Sequence, residues 1–576
     1  MTQPHAYVPP DLERGRAWGF AVNLYALRSK RNWGIGDFTD LRDFVDYAGT
    51  VGADIVGVNP LHALHYVEPE AASPYSPTSR YFRNPLYLDV EAVPEFASDH
   101  ERAVALRARV RSDPFVAMLA GLRSSANVAY ARVARAKYSA LEECYAIFRE
   151  LRGERMTEFR SYVARGGERL ERFALYETLA QRFVRSDGGE RGWLSWPSEY
   201  RDPASPAVAD FAVRERRRIE YFKYLQWLTD AQLDVAARAA GALAIGLYLD
   251  VAVGVDRNSA DVWFDPAGFV LDETVGAPPD PLGPRGQNWG LAPIDPAAML
   301  RDGGAAFTEL LARNMHHAGA LRLDHVMALM RLFRIPCGEA PSRGRYVDYP
   351  FEELLALARA ASVESRCLVV GEDLGSVPAG FRDRMTSEAI FSYRVLLFER
   401  AEDGGFIAPE YYPELALATA TTHDAPTLVG WAIGHDIDTH ANIGLTPSEH
   451  TELAHNARRV EVSRLFDALR GAGELDGDAF QRLHRLVDER KTGAGLFDDL
   501  VRAAYRFLAR SPARLVLVQL DDALGEIDQV NLPGTDTEYP NWRRKNGIDI
   551  DRLAHESALA TLVADVRRLV TERTHR

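Results

Sequence analysis

Residues 320–329 read Ala320-Leu321-Arg322-Leu323-Asp324-His325-Val326-Met327-Ala328-Leu329, an apolar run broken by charge in its middle. A buried strand that hands a carboxylate to a loop looks like this. Two more stretches share the design: 367–375 (CLVVGEDLG), carrying Glu372, and 416–424 (ALATATTHD), carrying Asp424. Asp324 stands 48 positions before Glu372, which stands 52 before Asp424. A strand–helix–strand unit takes roughly 30 residues or more, so each gap fits one unit with a long loop, or two. Repeated units ending in acids predict a barrel whose reactive groups gather at one rim.

Working outward, five other apolar runs bounded by Gly, Pro, Asn or Asp read as strands: 17–27, 53–61, 244–253, 392–399 and 514–522. With the first three they make eight. Several are continuously apolar, as strands covered on both faces are. The expectation is an α/β protein, a (β/α)8 TIM barrel with large helical insertions. Its parts are 1–98, the first part of the barrel; 99–240, a helical insertion; 241–430, the central barrel; 431–512, a second helical insertion; and 513–576, the last strand and a C-terminal helix. In 99–240, read as helical throughout, Tyr130, Val133, Tyr138, Leu141, Tyr145, Phe148 and Leu151 mark an apolar stripe near the helical period. Leu465, Phe466, Leu469, Leu483 and Val487 repeat the style in 431–512. Residues 276–296, rich in Gly and Pro and holding Trp289, read instead as an ordered loop, a lid over the barrel mouth.

Composition limits the chemistry. The 576 residues are 47% hydrophobic and 26% charged, ordinary for a globular protein. A net charge of −14 argues against a nucleic-acid partner, which asks for a basic face. Cys144, Cys337 and Cys367 lie far apart without a C-x-x-C pair, so they read as buried, reduced thiols. The N-terminus lacks the basic and apolar regions of a signal peptide, and no apolar run approaches the roughly 20 residues that cross a bilayer. The expected location is cytoplasmic, with no membrane contact. His316-His317 and His435-Asp436 lack metal-ligand spacing, and Gly34-Ile35-Gly36-Asp37 lacks the rest of a phosphate loop. Neither a metal nor a cofactor is expected.

Three rim acids without metal ligands point to sugar chemistry. Strand side chains alternate, so Arg322 and Asp324 project together, and the guanidinium favours an ionised Asp324 suited to be a nucleophile. The apolar collar Leu368-Val369-Val370-Gly371 would let Glu372 hold a proton for a leaving oxygen. Such a pair is what retaining glycoside chemistry uses. Asp424 would stabilise positive charge on a sugar ring, Asp250 would add an acceptor on the same rim, and His325 and His423 could donate to hydroxyls.

The same residues sit in a longer set: Asn32-Trp33-Gly34-Ile35-Gly36-Asp37-Phe38, Ser73-Pro74-Tyr75-Ser76-Pro77, Asn84-Pro85-Leu86-Tyr87, Ala277-Pro278-Pro279-Asp280, Gly286-Gln287-Asn288-Trp289-Gly290 and Asn531-Leu532-Pro533-Gly534-Thr535. From near Trp18 almost to the C-terminus, the chain resembles the 4-α-glucanotransferases (amylomaltases or disproportionating enzymes) of glycoside hydrolase family 77. The resemblance implies a (β/α)8 barrel acting on maltooligosaccharides and α-1,4-glucans. It implies Asp324 as nucleophile, Glu372 as general acid/base and Asp424 as transition-state stabiliser. Asp250, Arg322, His325 and His423 match positions contacting the same ring, and Tyr75, Asp280, Gln287 and Trp289 fall on segments lining the donor and acceptor cleft. Many relatives carry two aromatics after the Pro-Pro-Asp of the lid, where this chain has Pro281-Leu282, so a preference for long amylose or large cyclic products does not carry over. Members with this style of lid usually have a long N-terminal extension; with a first strand from about residue 17, no extra glucan-binding module is expected at that end.

The resemblance implies transfer of a glucan segment to the 4-hydroxyl of an acceptor through a covalent β-glucosyl-aspartate. The alternatives are a retaining hydrolase of the α-amylase type, which shares the acid geometry, and a non-catalytic glucan-binding protein on the same scaffold.

Overall fold

The computed structural model describes residues 5–151, 153–184, 192–279, 285–493 and 495–574. Eight parallel strands close into a barrel: β1 (Ala17–Val22), β2 (Ile55–Val58), β3 (Gly246–Val251), β4 (Ala320–Leu323), β5 (Leu368–Gly371), β6 (Phe391–Val395), β7 (Ala416–Thr419) and β8 (Leu515–Gln519). Each pairs with its neighbours in sequence, and β8 closes on β1. All eight expected strands form, and each is shorter than its apolar run. The 17–27 run becomes a 3-10 turn at Leu24–Ala26, and the 392–399 run does the same at Leu396–Phe398. Apolarity continued because Leu24–Ala26, Leu396 and Leu397 are also buried, so pattern alone could not mark where the ladder stops.

Side-chain parity divides the core in two. Trp18, Phe20, Val56, Val58, Leu247, Leu249, Leu321, Leu323, Val369, Val516 and Val518 join the large outer core, which packs the helices on the barrel. Ala17, Ile55, Tyr248, Ala320, Leu368, Val370, Phe391, Tyr393, Leu515 and Leu517 fill the interior. Interior residues stack in layers: Tyr248 lies level with Ala320, which pairs with Leu368, and Asp250 lies level with Arg322, which pairs with Val370. The next inward positions along β4 and β5 are residues 324 and 372. The site is therefore the topmost layer of the same interior stack. Gly19 has a packing reason: a Cβ there would fall 1.9 Å from the Ile55 carbonyl oxygen on β2.

Between β2 and β3 run the helices Glu101–Val110, Asp113–Ser124, Tyr130–Glu150, Glu154–Phe183, Pro206–Arg214 and Arg216–Ala240. Arg216–Ala240 packs on the helix Phe38–Thr50 and on β3. Two expectations need correction here. Helix is broken at Gly167 (φ 56°), and Trp193–Ser195 and Ser198–Tyr200 are only short 3-10 turns. Pro197 and Pro203 explain the latter, because neither has the N–H that a continuing helix needs. The apolar stripe also ends at buried Phe148, for Leu151 lies past the helix end and is 40% exposed. Leu465, Phe466, Leu469, Leu483 and Val487 are all buried.

The Asn32–Phe38 segment is pinned behind the rim by Arg31. Its guanidinium donates to Asp37 (2.6 Å), Asp40 (2.7 Å) and Asp89 (2.7 Å), and Asn32 also donates to Asp40. A second sheet runs Arg345–Asp348, Arg331–Pro336, Glu273–Ala277, Gln287–Asn288, entirely antiparallel. Part of the 276–296 segment is thus β-structure, with Gly276 and Ala277 paired to Asn288 and Gln287. Its hydrophobic signal was missed because two-residue strands are too short to show alternation. Cys144 and Cys367 are buried free thiols, but Cys337 is exposed. Its place in the turn after Pro336 puts it at the sheet's outer end, against the expectation that it is buried. No described helix is long and apolar enough to cross a membrane.

Candidate active site

Arg322 organises the barrel mouth. Its Nη1 lies 2.9 and 2.8 Å from the two oxygens of Asp250 and 3.0 Å from Asp324 Oδ1. One guanidinium thus holds two carboxylates from adjacent strands in fixed orientation, a charge-assisted arrangement. The second oxygen of Asp324 accepts the Val253 N–H at 3.3 Å. Tyr75 closes the far side: its hydroxyl donates to Asp250 Oδ2 at 2.6 Å, and its ring stacks on His423 at 4.6 Å and 19°.

Glu372 leaves β5 directly beside Asp324. Its N–H donates to the Leu323 carbonyl at 3.0 Å, and its own carbonyl accepts from Val326 at 2.9 Å, so the chain after β5 is laced to the chain around Asp324. The carboxyl accepts from His325 N at 2.9 Å and Leu374 N at 2.8 Å. His325 presents that N–H from the left-handed region (φ 47°), an uncommon conformation for a residue with a Cβ and a frequent one at functional sites. Burial, with the charge of Asp324 adding to it, pushes the Glu372 carboxyl up to about 7 against the opposing pull of Arg322 and the two amides. Glu372 can therefore carry a proton near neutrality. Burial likewise lowers His325 to about 4, leaving its ring neutral.

Asp424 sits on the turn after β7, half exposed. His423 Nε2 lies 3.2 Å from its Oδ2, and Asn531 Nδ2 donates to its Oδ1 at 2.7 Å. Desolvation opposes ionisation, but the His423 ring and the Asn531 amide outweigh it and hold the carboxyl below its ordinary range. Asn59 Nδ2, which can only donate, is 3.2 Å from His423 Nδ1. That leaves the Nε2–H to face Asp424.

Trp289 meets the His325 ring edge to face at 5.2 Å, and its Nε1–H donates to Gln287 Oε1 at 3.0 Å. Both residues thus flank the Asp324–Glu372 side of the mouth. Asp280, the remaining sequence candidate, lies outside the described residues. Tyr75, Asp250, Arg322, Asp324, Glu372, His325, His423, Asp424, Trp289 and Gln287 form one connected set.

Sequence reasoning missed three members. Asn59 and Asn531 orient His423 and Asp424 as described, and buried Trp542 (φ 59°) lays its indole 5.3 Å from His423 and 5.5 Å from Tyr75. Asn59 ends β2 as the acids end theirs, and a search of strand ends for amides as well as charges would have found it. Asn531 opens one of the quoted segments, yet its side chain alone carried no sign of a role. A cleft at the mouth is lined by Asn23, Asn59, Asp250, Arg322, His423 and Asp521, among others. A second cavity, largely aliphatic, lies under the antiparallel sheet and reaches Asp324 and His325. A polar mouth with convergent carboxylates and amides suits a hydroxyl-rich ligand.

The match to known proteins decides the family. The family model described as 4-alpha-glucanotransferase, glycoside hydrolase family 77, matches residues 22–549. The chain belongs to this family. It is 36% identical to the 4-alpha-glucanotransferase of Haemophilus influenzae, covering 98% of this chain and 80% of that one. Identity to the Mycobacterium tuberculosis 4-alpha-glucanotransferase is 34%, over 93% and 72% of the two chains. The crystal structure of the Corynebacterium glutamicum amylomaltase superimposes with a TM-score of 0.81 at 29% identity, over 96% of this chain and 75% of that one. An amylomaltase from Streptococcus agalactiae, solved in complex with acarbose, shares the fold (TM-score 0.75, 18% identity, 96% and 99% covered). As a member of glycoside hydrolase family 77, the enzyme has 4-alpha-glucanotransferase activity on α-1,4-glucans.

Proposed function

We propose that the enzyme moves a glucan segment by a retaining double displacement through Asp324. In the first step an oxygen of Asp324 bonds to the anomeric carbon while the bond from that carbon to the departing 4-oxygen breaks. The proton on Glu372 goes to that oxygen. In the second step Glu372, now a carboxylate, takes the proton of an acceptor 4-hydroxyl. The acceptor oxygen then bonds to the anomeric carbon and Asp324 is released. Retaining pairs stand roughly 5–5.5 Å apart, and two inward side chains following paired residues Leu323 and Gly371 on adjacent strands suit that spacing.

The observation that carries this reading is the unequal treatment of the two carboxyls. Asp324 is paired with a guanidinium, whereas burial keeps Glu372 near 7. Opposite environments are how one site obtains a nucleophile and an acid. Asp424 and His423, fixed by Asn531 and Asn59, would grip ring hydroxyls and face the positive charge of the oxocarbenium-like transition state. Arg322, Asp250, His325 and Tyr75 would hold the same ring from the donor side, and Trp289 and Gln287 would border the acceptor. The acarbose bound by the Streptococcus agalactiae amylomaltase suits a glucan cleft of this kind.

Transfer and hydrolysis differ in whether a sugar hydroxyl or water meets the intermediate, and a held acceptor has the advantage of orientation. Incubation with maltotriose is expected to give glucose together with a ladder of longer maltooligosaccharides, read by chromatography, with total reducing ends nearly constant. Reducing ends that rise in step with cleavage would make it a hydrolase instead.

A further inference from the structure

Behind Asp424 lies a second, wholly buried carboxylate. Asp522 follows β8 at the start of a short helix, Leu520–Ala523, and is 0% exposed. Its Oδ1 accepts the Leu428 N–H at 2.7 Å, and its Oδ2 accepts the Thr421 hydroxyl at 2.6 Å and the Tyr505 hydroxyl at 2.9 Å. Thr421 and Leu428 are the two ends of the turn that carries His423 and Asp424. Leu428 opens the helix Leu428–Ile433, so its N–H is one of the donors that a helix leaves unpaired, here satisfied from the short helix after β8. The Tyr505 hydroxyl, from the helix Asp498–Ala509, also accepts the Gln519 N–H at 3.0 Å, which ties the clamp to the barrel ladder.

We propose that Asp522 is a positioning residue for transfer: one carboxylate fastens both ends of the 421–428 turn and so sets where Asp424 and His423 meet the sugar. It touches no substrate. The proposal rests on the role given above to Asp424, and its test separates the two. Burial pushes the Asp522 carboxyl up to about 6 despite its three donors. A raised acid contributes stability that is full below its ordinary value and lost as pH rises through about 6. At neutral pH its charge therefore costs the fold stability while ordering the turn.

The test is a cycle of Asp522→Asn, Asp424→Asn and the double variant, followed by kcat and KM on maltotriose and by Tm at pH 7. Asp522→Asn is expected to lower kcat by on the order of 10²-fold, the scale of a small misplacement of a catalytic group. KM should change far less, with the variant still folded at the assay temperature. In the double variant the losses should not multiply, because the clamp acts through the turn that Asp424 occupies. Thr421→Val, which removes one of three donors, should give the same pattern with a smaller loss, and it replaces Asp522→Asn in the cycle if that variant does not fold. Full activity of Asp522→Asn, or losses that multiply, would overturn the clamp. Full activity of Asp424→Asn alone would sink the site assignment itself, and the clamp with it.

Discussion

Replacing Asp324 by Asn is expected to lower turnover of maltotriose by on the order of 10⁶-fold, the loss seen when a nucleophile acting in concert with its partners is removed. The amide keeps the shape of the carboxylate but cannot form the bond to the anomeric carbon. The fold should persist, since Arg322 retains both oxygens of Asp250 at 2.9 and 2.8 Å. Initial rates of glucose release, Tm and the affinity for a maltooligosaccharide together make the check. A variant that turns over normally, or one that loses activity only because it unfolds, contradicts the assignment.

Glu372→Gln is expected to cost on the order of 10³-fold, within the range attributed to a positioned general acid. Its pH profile is the more telling readout. For the wild-type enzyme kcat/KM should fall as pH rises through about 7, because the first step needs the protonated carboxyl. The Gln variant should lose that limb. The stability sign follows from the same shift: Glu372 is raised from 4.5 to about 7, so its contribution is full below 4.5 and lost as pH rises through 7. At pH 8 Glu372→Gln should therefore melt no lower than wild type, and a retained alkaline limb would assign that limb to another group.

The barrel and its acidic rim were legible because both rest on local rules. An apolar run ending in an acid records a strand buried on both faces and then released at the mouth, and parity along β4 puts Arg322 and Asp324 on the inner side together. Less legible was whatever depends on distant chain segments. Asn531 reaches Asp424 across 107 positions, and Asp522 reaches Thr421 across 101. No spacing rule predicts either contact, and each residue taken singly resembles an ordinary turn or cap residue. One edge of the antiparallel sheet beside the mouth was missed for a different reason: Gly276 and Ala277 pair there with only two residues, Asn288 and Gln287. The brevity that hid the pairing also brings Trp289 back against His325.

Mass analysis of proteolytic peptides, after rapid acid quenching of the Glu372→Gln variant reacting with an activated α-glucosyl donor, tests the central claim most directly. The account predicts one or more glucose units joined as an ester to Asp324, on the peptide that also carries Arg322 and His325. A glucosyl ester on Asp424 or Asp250, or turnover of that donor with inverted anomeric configuration, would contradict it.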